Sequence, residues 1–256
     1  MLDKKQKYLQ IALNSTLEEA KLIISQIPLD KRIILEVGTP LIKTYGLKAI
    51  KMIRKWWEER IFNTAVQVEV ENEIEKWTKI LTEISVKKAE IKQKEITFTP
   101  YIVADLKCMD RGAREVEIAK EGGANGAVVL GQAPVETINA FIDRCEKLGL
   151  DSMIDMINVE YSLEILRKLK KLPNVIILHR GVDEEAFNPE SEVPYHEIHR
   201  IKENYDILVA VAGGDTIQEV QRAIFNDADI VVVWKSFYQS TAQTAKLAEE
   251  FLKEIR

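Results

Sequence analysis

One stretch of sequence decides the fold, Tyr101-Ile102-Val103-Ala104-Asp105-Leu106-Lys107-Cys108-Met109-Asp110, where β-forming residues lead into a cluster of charges. Its apolar half, Tyr101–Ala104, predicts a strand that is buried on both faces. Side chains two positions apart on a strand share a face, so Asp105 and Lys107 are expected to project together. Asp110 follows where the chain turns towards a helix and could fold back over the same place. Charges are costly at the end of a buried strand, so a functional site is favoured over a structural ion-pair cluster.

The overall composition limits the kinds of protein that this chain can be. Its 256 residues carry a formal net charge of -5, which argues against a nucleic-acid-binding surface over the whole molecule. No apolar run reaches the roughly 18 residues that a membrane span needs, so no membrane span is expected. The N-terminal residues Met1–Lys5 have no apolar segment behind their charges, so no signal peptide is expected. These observations predict a soluble, cytoplasmic protein.

Eight apolar segments of strand length recur along the chain, and each is followed by a helical pattern. An open doubly wound sheet is the alternative, but no Gly-x-Gly-x-x-Gly motif follows the first segment. Eight strand-helix units of this size favour an α/β fold of the (β/α)8 TIM-barrel type. The predicted strands are Tyr8–Leu13, Ile33–Leu35, Tyr101–Ala104, Gly126–Leu130, Ser152–Ile154, Val175–Leu178, Ile207–Val211 and Ile230–Val233.

One of these units is much longer than the others. Glu36 and Asp105, at two successive strand ends, lie 69 positions apart, whereas 25 positions separate Asp105 from Leu130. A helix is predicted over Tyr45–Trp57, so the excess, about residues 58–99, forms an insertion between the second helix and the third strand. We therefore expect one barrel domain over residues 1–256 that carries this insertion.

The insertion has a heptad-like apolar stripe, which predicts a helix that packs on the barrel exterior or on a partner subunit. Its first residues, 66–70, also alternate as a strand would, so the start of this helix is ambiguous. The stripe consists of Val66, Val70, Ile74, Trp77, Leu81 and Ile84.

Polar residues follow nearly every predicted strand, and in barrels of this kind the active site is built at the carboxyl ends of the strands. The carboxylates of Glu36 and Asp105 lie on neighbouring strands and suit Mg²⁺, with Mn²⁺ as an alternative. An imidazole at the end of the sixth strand, His179, is suited to moving a proton near neutral pH. The full set of strand-end residues is Asn14, Glu36, Asp105, Lys107, Asp110, Asp155, His179, Arg180, Gly213, Gly214, Trp234 and Lys235.

The run Gly213-Gly214-Asp215-Thr216 after the seventh strand allows backbone amides to approach an anion at a helix start. Lys235, after the eighth strand, adds a cation. A phosphate site built from the last two loops is a recurring use of this fold. The alternative for two adjacent glycines is simply a tight turn.

Two motifs resemble a known family. Asp105-Leu106-Lys107-Cys108-Met109-Asp110 matches the Asp-x-Lys-x-x-Asp motif of the orotidine 5'-monophosphate decarboxylase suprafamily. Glu36-Val37-Gly38-Thr39-Pro40-Leu41-Ile42-Lys43 resembles the corresponding stretch of its 3-hexulose-6-phosphate synthases. The likeness continues through Met109–Gly112, Val129–Gly131, His179–Glu185 and Val211–Gly214 and covers nearly the whole chain except the insertion.

The resemblance implies an aldehyde-lyase that adds formaldehyde to ribulose 5-phosphate, giving 3-hexulose 6-phosphate, or that catalyses the reverse cleavage. It implies Mg²⁺ held by Glu36 and Asp105, which stabilises an enediolate formed by loss of a C1 proton. It implies His179 as acid/base, with Lys107 and Asp110 orienting hydroxyls and helping to place protons. It also implies a homodimer with shared active sites, because the last motif carboxylate of the suprafamily reaches into the neighbouring subunit.

The phosphate end is where this chain departs from the pattern of the family. The resemblance implies that Gly213, Gly214 and Lys235 hold the phosphate. Three further strand-end residues are candidates for phosphate or substrate binding: Asn14, Arg180 and Trp234. Trp234 stands where relatives have glycine, and its indole is large enough to fill the phosphate pocket. Asn14 replaces the aspartate of relatives at the first strand end, so Lys107 loses one counter-ion.

Two other functions remain open on the sequence. One is the same enediolate chemistry on another sugar phosphate or a non-phosphorylated substrate, as in a keto-gulonate-phosphate decarboxylase relative. Val182 argues against that decarboxylase, because its members have arginine at this position. The other is a catalytically silent barrel that acts as a binding or assembly partner through the apolar stripe, Val66–Ile84.

Overall fold

The computed structural model describes residues 1–62, 98–188, 190–214, 216–239 and 244–255. Eight parallel strands pair in chain order and close into a barrel, because β1 pairs with both β2 and β8. The predicted TIM-barrel fold is confirmed, and the open-sheet alternative is wrong. The strands are β1 Tyr8–Leu13, β2 Ile33–Val37, β3 Tyr101–Cys108, β4 Gly126–Leu130, β5 Asp151–Asp155, β6 Val175–His179, β7 Leu208–Ala212 and β8 Ile230–Val233.

Helices follow the strands and cover the outside of the barrel. None of the helices in the described part of the chain is both long and apolar enough to span a membrane. They are α1 Leu17–Gln26, α2 Thr39–Tyr45, α3 over residues 47–62, α4 Gly112–Gly122, α5 Val135–Leu148, α6 Ser162–Lys168, α7 Val182–Phe187, α8 His196–Asn204, α9 Ile217–Phe225, α10 Lys235–Gln239 and α11 Thr244–Glu254.

Side chains along each strand point alternately outwards and inwards, and they form two apolar cores, one outside the sheet and one inside the barrel. On β1, Leu9, Ile11 and Leu13 belong to the large core between sheet and helices, whereas Tyr8 and Ala12 belong to the core inside the barrel. Each fully buried leucine or isoleucine side chain stabilises the fold by about 1.5–3 kcal/mol. The side chains that point into the barrel become polar towards the carboxyl ends of the strands. The candidate site lies at these ends.

Four local predictions need correction. The third strand continues four residues beyond Ala104, to Cys108. The second helical region is two helices, α2 and α3, which meet at Gly46 (φ 58°) rather than one helix starting at Tyr45. The sequence over Val159–Leu172 also predicts a helix, but the helix observed there covers only Ser162–Lys168. The sequence after His179 predicts a loop and then one helix that ends at Ile201, whereas two helices, α7 and α8, lie there and α8 ends at Asn204.

The predicted insertion is only partly described. Residue 58, proposed as its start, lies inside α3, which continues to residue 62. The apolar stripe Val66–Ile84 lies outside the described residues, as does Asp215.

Candidate active site

The carboxyl ends of the strands surround a cavity of about 410 Å³ at the mouth of the barrel. Side chains from the strand ends β1, β2, β3, β5, β6, β7 and β8 line it, so the predicted convergence on one face is present. The polar and charged lining residues are Gln10, Asn14, Glu36, Thr39, Asp105, Lys107, Asp155, His179, Arg180 and Glu185.

An irregularity in β3 brings the two charges of the Asp-x-Lys motif into this cavity. Between Ala104 and Cys108 the strand advances four positions while its neighbour β4 advances two, from Ala127 to Val129. Lys107 lies in the left-handed region, at φ 45°, which allows the extra residues to be accommodated. As predicted from their spacing, Asp105 and Lys107 lie together, with Nζ 3.4 Å from Oδ1.

A buried carboxylate on β5 connects the lysine to the histidine. Asp155 is 1% exposed, and its Oδ2 lies 2.5 Å from Lys107 Nζ and 2.8 Å from His179 Nδ1. Burial works to raise the pKa of Asp155, but the charges and hydrogen bonds of His179 and Lys107 outweigh it and lower this pKa to about 2. Asp155 is therefore ionised at neutral pH and accepts the Nδ1 hydrogen of His179, which leaves Nε2 as the basic nitrogen.

The lysine remains charged in spite of its partial burial. Burial works to lower the pKa of Lys107, but Asp105 and Asp155 outweigh it and raise this pKa well above its ordinary value. Lys107 therefore acts here as a fixed cation that donates hydrogen bonds, and it cannot serve as a base near neutral pH.

Glu36, on β2, lines the same cavity and accepts a hydrogen bond from a buried side-chain amide. Gln10 Nε2, on β1 and 1% exposed, donates to Glu36 Oε2, while Gln10 Oε1 has no hydrogen-bond partner among the described residues. Burial and the neighbouring charge of Asp105 raise the pKa of Glu36 to about 8. No group of three His, Cys, Asp or Glu side chains in the described ranges forms a ready-made metal centre.

The turn after β2 fixes both Asp105 and Asn14. The Thr39 hydroxyl lies 2.7 Å from Asp105 Oδ2, and the Thr39 N–H donates to the same oxygen at 3.3 Å. A Cβ at Gly38 would collide with Asn14 Oδ1, so the Asn14 side chain can pack against this turn only because residue 38 is glycine.

The predicted phosphate end is built around Arg180 and Gly213. The Arg180 guanidinium donates to the carbonyl oxygens of Ser191 and Gly213, at 2.9 and 2.8 Å. A Cβ at Gly213 (φ 101°) would lie 2.5 Å from Arg180 O, so this close approach also needs glycine. The Trp234 indole lines the cavity, and Lys235 Nζ lies 2.6 Å from Glu185 Oε2.

Most of the predicted site residues line one cavity, and three do not. Gly214 and Lys235 stand next to the lining residues Gly213 and Trp234. Asp110 does not fold back over the site, which was one of the two positions considered for it: it is exposed, and its Oδ1 accepts the N–H of Arg111 at 2.7 Å. The turn into α4 carries it away from Lys107.

Four of the polar and charged lining residues were not assigned a role from the sequence. Asp155 was visible as a polar strand end, but its contacts with Lys107 and His179 were not, because those residues lie on other strands. Thr39 was visible only as part of a family motif. Glu185 was likewise visible only within a family-like stretch, His179–Glu185. Gln10 gave no signal, because a glutamine inside a strand is ordinary.

Comparison with known proteins supports a relationship over nearly the whole chain. The "Bifunctional enzyme Fae/Hps" of Methanocaldococcus jannaschii is 34% identical over 234 residues, which are 91% of this chain and 48% of that protein. The protein of the same name from Methanothrix thermoacetophila is 32% identical over 251 residues, 97% of this chain and 53% of that protein. The chain spans about half the length of these curated relatives.

Solved structures agree with the sequence relatives. The crystal structure of 3-hexulose-6-phosphate synthase from Salmonella typhimurium superposes with a TM-score of 0.73 at 26% identity, covering 97% of this chain and 98% of that one. Residues 76–250 match the Orotidine 5'-phosphate decarboxylase / HUMPS family, which is more than half of the chain. The chain therefore belongs to the Orotidine 5'-phosphate decarboxylase / HUMPS family.

Proposed function

We propose that the chain is a carbon-carbon lyase that adds formaldehyde to ribulose 5-phosphate to give 3-hexulose 6-phosphate, or cleaves that product. The observation that carries the proposal is the Lys107–Asp155–His179 network beside the carboxylates of Glu36 and Asp105 in one cavity. The similarity to a 3-hexulose-6-phosphate synthase and to Fae/Hps proteins supports this substrate class.

The residues present fit a divalent cation, Mg²⁺ or Mn²⁺, held by Glu36 and Asp105. Both carboxylates are buried, and the charge of Asp105 opposes ionisation of Glu36, so a cation beside them would be favourable. Gln10 Oε1, which has no hydrogen-bond partner in the part of the chain that the structure describes, adds an oxygen near Glu36. When bound, the cation would supply positive charge that stabilises the enediolate of the substrate. Thr39 would hold Asp105 in place, and Gln10 would do the same for Glu36.

The proton transfers fall to His179. Its Nε2 removes a proton from C1 of ribulose 5-phosphate, and the electron pair of that C–H bond moves into the C1–C2 enediolate. C1 then forms a bond to the carbon of formaldehyde, whose oxygen takes back a proton from the imidazolium. No net proton is consumed. Asp155 stabilises the imidazolium between these steps, and Lys107 donates to oxygens of the substrate.

The phosphate is assigned to the end of the cavity near Arg180, Gly213, Gly214 and Lys235. Asn14 and Trp234 would complete the walls around the sugar. Since Asp110 lies exposed and outside the cavity of its own subunit, we assign it to the site of a second copy in a homodimer.

The test is an assay of the purified protein with ribulose 5-phosphate, formaldehyde and Mg²⁺. We expect product formation that falls by about 100-fold or more in Glu36→Gln, Asp105→Asn and His179→Ala. The exposed Asp183→Asn is the matched control and should keep full activity. Activity that survives all three changes would refute the mechanism, and a native protein that makes no product would refute the assigned reaction.

A further inference from the structure

The cations at the phosphate end of the cavity already have counter-ions within the chain. Lys235 Nζ lies 2.6 Å from Glu185 Oε2. Arg180 lies 3.8 Å from the same Glu185 oxygen and 3.7 Å from Glu219 Oε1. Two positive and two negative side chains therefore balance one another, in a place where a doubly charged phosphate would need a surplus of positive charge.

From this pairing we infer that Glu185 is a specificity-determining residue: it competes with a phosphate monoester for Lys235 and lowers the affinity of the cavity for phosphorylated ligands. The inference rests on the proposed function, which assigns the phosphate to this end. Glu185 lines the cavity itself, so a phosphate bound to Lys235 would stand beside its carboxylate.

The pair can open without leaving a buried charge. The side chains of Lys235 and Glu185 are 26% and 31% exposed, so each charge can be solvated when the other moves away. Glu185 lies on α7, whose six residues are mostly exposed, and its carboxylate can turn towards solvent. The Arg180 side chain cannot move away in the same way, because its guanidinium donates hydrogen bonds to two backbone carbonyl oxygens.

The experiment measures binding of inorganic phosphate, ribulose 5-phosphate and non-phosphorylated ribulose by calorimetry, without formaldehyde. Glu185→Gln keeps the shape of the side chain and removes its charge. We expect it to bind both phosphate-bearing ligands about tenfold more tightly than the native chain, with ribulose unchanged. In Glu185→Gln/Lys235→Gln the gain should be lost, because the released lysine is its source.

Asp183→Asn, which removes one exposed charge from the same helix, is the matched control and should not change phosphate binding. Phosphate binding that is unchanged or weaker in Glu185→Gln overturns the inference, as does a gain that persists in the double variant. Because binding is measured without turnover, a protein that shows the expected gain but makes no hexulose phosphate would refute the proposed function alone.

Discussion

Replacing Glu36 by Gln should remove a pH dependence from the stability of the cation-free protein. Glu36 is 8% exposed, and burial beside Asp105 raises its pKa to about 8 from the ordinary 4.5. Below the lower value both folded and unfolded chains hold the proton. Between the two values only the folded chain holds it, so the free energy of unfolding falls as pH rises; above the higher value the loss levels off.

The size of the effect follows from the two pKa values. Each pH unit inside this window lowers the free energy of unfolding by up to about 1.4 kcal/mol. Between about pH 6 and pH 8 the native chain should therefore lose on the order of 2 kcal/mol that the Glu36→Gln chain does not lose. A divalent cation, which favours the ionised carboxylate, should stabilise the native chain more at the upper end of this range.

The assay is denaturant unfolding in a chelating buffer at several pH values, with the exposed Glu203→Gln as the matched control. We expect the control to follow the native profile and Glu36→Gln to lack its slope. Parallel profiles for native protein and Glu36→Gln would show that Glu36 is not the buried, repelled carboxylate described above.

Three further substitutions test residues that are proposed to hold the site residues and the backbone of the cavity in place. Asp155→Asn should lower kcat by about 100-fold or more while cation affinity from calorimetry stays the same, because it removes the partner that orients His179; an equal loss in cation affinity would contradict this role. Gln10→Leu should weaken Mn²⁺ binding by about tenfold, since it removes the donor to Glu36, and unchanged binding would rule that support out. Gly213→Ala should destabilise the fold by about 1–3 kcal/mol, read from the unfolding midpoint, and a neutral change would refute the close approach.

The barrel could be predicted because its signal is local. Each strand is a short apolar run followed by a polar residue and a helical pattern, and this signal survives errors of a few residues at every boundary. The end of β3 could not be predicted, because Asp105 and Lys107 read as the end of a strand. The irregular pairing with β4, which depends on a neighbour in space, keeps those residues within the strand.

The site was predictable as a list of residues and less so as a network. Glu36, Asp105 and His179 stand at strand ends, where the fold itself implies a function. Whether a strand-end residue enters the cavity depends on the turn that follows, and the turn after Lys107 takes Asp110 to the surface. The pairing of Lys235 with Glu185 joins residues 50 positions apart, and charge pairs at such separations leave no pattern in a single sequence.

The central claim is that His179 removes a C1 proton beside a divalent cation that Glu36 and Asp105 would hold. It is tested most directly by hydrogen exchange. Ribulose 5-phosphate is incubated with the protein and Mg²⁺ in D₂O, without formaldehyde, and C1 is followed by NMR. Enzyme-dependent deuterium incorporation at C1 that is lost in Glu36→Gln and in His179→Ala is the predicted result. Incorporation that continues in both variants, or that is absent from the native protein with ribulose 5-phosphate bound, would contradict it.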